Sequence, residues 1–135
     1  MDFLINLDVD DLEHAIAFYH EAFGFTLGRR FGTDGAELLG GPAPLYLLAK
    51  AAGTPAFAGD GRHRDYRRHW TPVHLDLVVE EIEPAVERAL AAGAVLEAPI
   101  ATQAWGRLAL MADPFGHGFC LVQFLGEGYD AIATS

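Results

Sequence analysis

The feature that most constrains this chain is that it repeats itself. Residues 4–16 read LINLDVDDLEHAI and residues 74–86 read HLDLVVEEIEPAV, an offset of 70. Leu7 matches Leu77, Val9 matches Val79 and Ala15 matches Ala85, while Asp10-Asp11-Leu12-Glu13 matches Glu80-Glu81-Ile82-Glu83 in charge and shape. Each copy then runs through a helical pattern to a glycine stop, Ala22-Phe23-Gly24-Phe25 in the first and Ala91-Ala92-Gly93-Ala94 in the second. Self-similarity in this order points to two like supersecondary units joined in tandem.

Both copies carry the same physics. Ile5, Leu7 and Val9 alternate with Asn6 and Asp8, and Leu75, Leu77 and Val79 alternate with His74, Asp76 and Val78. That is the period of a strand with one buried face. Asp10 or Asp11 then caps a helix whose apolar stripe is Leu12, Ala15, Ile16 and Tyr19. The second helix opens on Glu80–Glu83 with Pro84 in its first turn, where acids suit the helix dipole and the missing N–H costs nothing. Its apolar residues are Ile82, Ala85, Val86, Ala89 and Leu90. Gly24 and Gly93 close the helices.

Three short strands are expected after each helix: 25–30, 36–39 and 45–49 in the first copy, 95–99, 106–112 and 118–124 in the second. Turn residues separate them, notably Gly32–Gly35, Gly40-Gly41-Pro42 and Asp113-Pro114-Phe115-Gly116. The fold expected is α+β: two paired βαβββ modules forming a curved mixed sheet with the helices on its outer face. A single domain spans 1–126, with module one at 1–52, a linker at 53–72 and module two at 73–126, and a surface tail follows at 127–135. One module alone leaves an apolar face and a sheet edge uncovered, which is why the two are expected to pair.

Composition narrows the function classes. There are 19 acidic against 9 basic residues, a net charge of −10. Such a surface repels phosphate backbones and anionic lipid, so neither a nucleic-acid nor a membrane partner is expected. Met1-Asp2-Phe3-Leu4 places an acid where a secretory leader carries a base. The expected location is the cytoplasm. Cys120, the one cysteine, cannot form an intramolecular bridge. No P-loop, dinucleotide fingerprint, Ser–His–Asp signature or zinc-type cysteine pair is present.

Two βαβββ modules of this size resemble the vicinal oxygen chelate superfamily, which includes glyoxalase I, bleomycin-resistance proteins and extradiol dioxygenases. The resemblance is carried by Val9–Tyr19 with Phe23-Gly24-Phe25, similar to the strand-to-helix passage ending "FY…GF", and by Ala112–Val122, similar to the "DPxGN" turn into the last strand. It covers about residues 3–125 and implies a concave sheet face that serves as the pocket. Metal-using relatives place one ligand on the first strand and one on the last strand of each module. Carried over, those positions are Leu4, a residue near Tyr46, His74 and Cys120. Leu4 cannot bind a metal, Cys120 stands where a glutamate is usual, and His74 is the single ordinary ligand. The expectation is therefore no cofactor; a divalent metal is not supported by the positions where its ligands belong.

Alternation places Leu4, Asn6 and Asp8, and His74, Asp76 and Val78, on the concave side. The candidate ligand-binding residues are Asn6, Asp8, Tyr46, Trp70, His74, Asp76, Trp105 and Cys120, with Asp8 and Asp76 as polar anchors. Each has a plain alternative: His74 a structural histidine, Cys120 a small buried hydrophobe, Tyr46 a core aromatic, the two aspartates solvated strand ends. His117 reads as a turn residue tolerant of the left-handed region. Arg62, Arg64, Arg67 and Arg68 read as a solvated loop that neutralises acidic neighbours, or with Trp70 as a lid. The function implied is a glyoxalase- or bleomycin-resistance-like protein that binds a small organic molecule, as a homodimer, without the usual metal. The alternative is a metal-dependent lyase, isomerase or dioxygenase with an atypical site.

Overall fold

A computed structural model describes residues 1–59 and 61–135. The chain divides into two compact units, Met1–Arg67 and Arg68–Ser135. The boundary falls inside the segment read as a linker.

The first unit runs β1 (Ile5–Val9), α1 (Leu12–Phe23), β2 (Thr26–Phe31), β3 (Gly35–Leu39) and β4 (Leu45–Ala49). Its sheet has the order β1-β4-β3-β2, with β1 parallel to β4 and the other pairs antiparallel. Asp11 caps α1 as read from sequence, its carboxylate accepting the His14 N–H at 3.0 Å. Gly24 ends the helix in the left-handed region at φ 75°. The helix buries Leu12, Ala15, Phe18, Tyr19 and Ala22. On the sheet, Val9, Ala36, Leu38, Leu45 and Leu47 are buried. These positions lie on one face by strand alternation, so helix and sheet close a single apolar layer. Asn6, Asp8, Tyr46 and Glu37 belong to the opposite, helix-free face.

The second unit repeats the plan with β5 (Leu75–Val78), α2 (Ile82–Ala92), β6 (Val95–Leu96), β7 (Ala101–Gln103), β8 (Gly106–Ala112) and β9 (Gly118–Phe124). Its order is β5-β9-β8-β6, and β7 also pairs with β8. The strand expected over 95–99 is the main departure. It is broken into β6 and a separate β7, both antiparallel to β8. Pro99 lies in the break, where a residue without an N–H cannot extend the ladder. The first strands and the helices keep the 70-residue offset, and α2 is one residue shorter than α1, with 11 against 12. Glu81 holds the N-cap position without capping through its side chain. Gln123 of β9 does that instead, its Oε1 accepting the Ile82 N–H at 2.9 Å. The tail forms a single 3₁₀ turn, Gly128–Ala131. Among the described residues no helix is long and apolar enough to cross a membrane.

Candidate functional site

In the second unit the strand register lines up one row of side chains on the helix-free face. Asp76 pairs with Cys120, Cys120 with Leu110, and the Glu97 N–H reaches the Leu110 carbonyl at 2.9 Å. His74, just ahead of β5, completes the group: its Nε2 lies 3.1 Å from Asp76 Oδ1. The ligating atoms of His74, Asp76 and Cys120 all lie within 4.8 Å of one another. Cys120 is the floor, 4% exposed. The His74 and Asp76 side chains are open, at 54% and 37% exposure. Burial pushes the Cys120 thiol up to about 11, and the neighbouring Asp76 carboxylate, hydrogen-bonded to it, adds to the rise. The thiol is therefore protonated near neutral pH and faces a carboxylate, the reverse of what a cysteine nucleophile needs.

Arg68 and Glu97 close one side of this group. Arg68 Nε and Nη2 grip the two Glu97 oxygens at 2.9 and 3.0 Å, while Nη1 donates to the His69 carbonyl. The guanidinium lies over Gly118, where a Cβ would come 2.5 Å from Nη2. A glycine two residues before Cys120 is what lets the arginine lie there.

The equivalent row in the first unit is Asn6, Tyr46 and Glu37. Its chemistry is different. Glu37 is 6% exposed yet ionised. Arg29 donates from Nε to Oε1 at 3.0 Å and from Nη2 to Oε2 at 2.5 Å, and the Tyr46 hydroxyl donates to Oε2 at 3.0 Å. The Arg29 grip holds the carboxyl down to about 2 against the opposing effect of burial, with further help from the Arg29 N–H and Tyr46. The same carboxylate raises the Arg29 guanidinium. Two local devices make this arrangement fit. A bulge between Leu27 and Arg30 turns Arg29 toward Glu37. Gly28 leaves room for the carboxylate, since a Cβ there would sit 2.7 Å from Oε1. Sequence reasoning missed both Glu37 and Arg29. The available signal was a glycine in a strand beside an arginine, opposite a lone acid in an apolar run.

The structure brings His74, Asp76 and Cys120 together, and separately Asn6 and Tyr46. Asp8 is engaged otherwise: Arg64 Nε meets its Oδ2 at 2.7 Å, with Arg64 also bonded to Thr54 Oγ1 and the Pro55 carbonyl. Arg67 pairs with Asp65 and Arg68 with Glu97, so this stretch does neutralise acidic neighbours. Trp70 is 81% exposed. Trp105 packs its ring on Tyr129 at 5.2 Å and Phe124 at 6.2 Å. The reading of His117 as left-handed is corrected. Gly116 takes that conformation at φ 89°, and among the described residues no non-glycine residue has positive φ. His117 instead binds the Asp113 carboxylate through its backbone N–H at 2.9 Å and Nδ1 at 2.7 Å.

Comparison with known proteins follows the same lines. A sequence model of the glyoxalase-like domain matches residues 4–122. An uncharacterised protein of Mycobacterium bovis is 34% identical over 126 residues, covering 90% of this chain and 82% of that protein. A glyoxalase/bleomycin resistance protein/dioxygenase family enzyme from Burkholderia phytofirmans superposes with a TM-score of 0.72 at 19% identity, covering 90% of this chain and 97% of the other. A fosfomycin resistance protein from Listeria monocytogenes gives a TM-score of 0.69 at 19% identity, covering 93% of each chain. At such identities these two structures speak to the fold alone.

Proposed function

The chain belongs to the glyoxalase-like domain family, and from that premise we propose that it binds a small cationic or aromatic organic molecule on the helix-free sheet face of its second unit, without the family's usual metal constellation. One observation carries the reading. The second unit presents Asp76 on the same sheet face as two exposed apolar side chains, Val78 at 65% and Leu110 at 43%. A carboxylate set among exposed apolar groups suits a ligand with a positive charge and a hydrocarbon or aromatic body. The net charge of −10 favours the same sign of ligand.

The usual metal does not fit the residues present. Leu4 is apolar and 61% exposed. The Tyr46 hydroxyl is committed, donating to Glu37 and accepting from Arg29 at 3.2 Å. The first unit therefore supplies no ligand at either expected position, and no chemical step is routed through such an ion.

Thermal denaturation against a panel of cationic aromatic compounds and small carbonyl compounds tests the proposal. A bound compound at a hundred times its Kd stabilises by about 2.7 kcal/mol, a shift of several degrees. Asp76→Asn should shrink the shift produced by cations and spare that of neutral aromatics. A panel without a stabilising compound up to millimolar concentration would overturn the reading.

A further inference from the structure

Asp76 can hold a positive charge on the helix-free face of the second unit, but a carboxylate alone does not choose among organic cations. A second polar group, the Arg68 guanidinium, stands on the same face. We propose that the ligand carries a neutral hydrogen-bond acceptor, such as an amide or ketone oxygen, about 8 Å from its cationic group, and that Arg68 reads it. The ligand class so named belongs to the site already proposed and rests on that reading.

Strand register fixes the separation. Gly118 and Cys120 are two residues apart on β9, so both belong to the helix-free face. A Cβ on Gly118 would come 2.5 Å from Arg68 Nη2, 2.9 Å from Cζ and 3.1 Å from Nη1. The guanidinium therefore occupies the place of the side chain that Gly118 lacks. Asp76 is paired with Cys120 on the neighbouring strand. Two residues along a strand cover about 6.7 Å and neighbouring strands lie about 4.8 Å apart, so Asp76 and position 118 are about 8 Å apart on the diagonal. Between and beside them lie the buried Cys120 and its other partner Leu110, 43% exposed. These give the body of a ligand a low apolar floor.

Arg68 has donors to spare. Of the five N–H groups of a guanidinium, Nε and one on Nη2 go to Glu97, and one on Nη1 goes to the His69 carbonyl. One N–H on each terminal nitrogen is left, and the side chain is 38% exposed. Glu97 decides which acceptor suits them. Its carboxylate already neutralises the guanidinium, and Asp76 and the net charge of −10 add negative potential around it. A carboxylate or phosphate on the ligand would be repelled by that field, whereas a carbonyl oxygen takes the hydrogen bond without the charge. The grip of Glu97 also fixes the guanidinium before a ligand arrives, which lowers the ordering cost of binding.

NMR titration of the full chain with three related amines tests the proposal. Benzylamine carries the cation and an aromatic body. 4-(Aminomethyl)benzamide adds a carbonyl oxygen at about the required separation from the ammonium nitrogen, and 4-(aminomethyl)benzoate puts a negative charge there. The benzamide should bind about tenfold more tightly than benzylamine, the worth of one hydrogen bond to a charged donor, and the benzoate less tightly than the benzamide. Arg68→Met should remove the tenfold gain and leave benzylamine where it was. Gly118→Ala pushes the guanidinium aside without removing it, so it should cost most of the same gain, and it stands in should Arg68→Met misfold. Asp76→Asn should weaken benzylamine and the benzamide alike. Benzylamine binding with no gain for the benzamide, a gain that survives the loss or displacement of Arg68, or tightest binding by the benzoate overturns the proposal while leaving the Asp76 cation site standing. Failure of both benzylamine and the benzamide to bind at millimolar concentration overturns it together with the cation-binding reading on which it rests.

Discussion

Gly106 opens β8 opposite Phe124, with φ at 153°. Alanine there meets backbone on every side: its Cβ would run into the Gln123 carbonyl oxygen, with Phe124 Cα at 3.0 Å and the Gln123 carbonyl carbon at 3.1 Å. Neither atom can rotate away, so the end of the β8–β9 ladder has to part. The losses are the hydrogen bond from Leu125 N–H to the Trp105 carbonyl at 3.1 Å and the ladder bond at the neighbouring Arg107–Gln123 pair, since Gly106 and Phe124 themselves form a non-hydrogen-bonded pair. Two net hydrogen bonds at about 1 kcal/mol each, with about 1 kcal/mol for the backbone conformation, give on the order of 3 kcal/mol. Gly118→Ala is the control. Its Cβ would come 2.5 Å from Arg68 Nη2, the mobile tip of a side chain. Releasing an exposed ion pair costs at most about 1 kcal/mol, and Gly→Ala recovers part of that through the unfolded chain. Both tryptophans, Trp70 and Trp105, belong to the second unit, so fluorescence-detected melting reads that unit. For a unit of this size 3 kcal/mol is a fall in Tm of roughly 12–24 °C, against less than about 8 °C for Gly118→Ala. Equal shifts for the two variants would refute the distinction between backbone and side-chain obstruction.

Two further outcomes are expected. The Glu37 carboxyl is held at about 2, well below its value of 4.5 in an open chain, so its contribution to stability is fully present above pH 4.5 and is lost as pH falls toward 2; Glu37→Gln should flatten the acid limb of a stability–pH curve for the first unit, followed by amide NMR. Gln123→Leu leaves the Ile82 N–H at the start of α2 without its acceptor and should lower stability by about 1 kcal/mol, read by urea denaturation.

The parts of the fold legible in sequence are those set by local physics. Alternation in Ile5–Val9 and Leu75–Val78, the Asp11 cap, and the left-handed glycines 24 and 93 all depend on neighbours within a few residues. What escaped depends on register across strands. Arg29 and Glu37 meet only because a bulge shifts β2 against β3. The α2 cap comes from Gln123, 41 residues away, beyond the reach of any local pattern. The Asp8–Arg64 pair spans 56 residues and consumes an anchor that alternation alone left free. For His117, the glycine beside it met the conformational demand of the turn, which freed the histidine to bind Asp113.

The repeat bears on function because its two faces are under different constraints. On the helix-packed face both copies must fill the same volume, and Leu7 and Leu77, Val9 and Val79, and Leu12 and Ile82 remain alike. The helix-free face has no such demand. There Asn6 answers to Asp76, Tyr46 to Cys120 and Glu37 to Leu110, since each pair holds the same register position in its own sheet. In the first unit the row is self-satisfied: a buried carboxylate is matched by a guanidinium and a phenol. In the second the corresponding row holds a carboxylate and a thiol, with the His74 imidazole beside them, and the neighbouring Arg68 is held by Glu97. A negatively charged, open group of donors beside exposed apolar side chains can gain a positive partner from outside, whereas the closed ion pair of the first unit has little left to gain. The proposed binding is therefore placed on the second copy, and the first copy's polar row holds its own sheet.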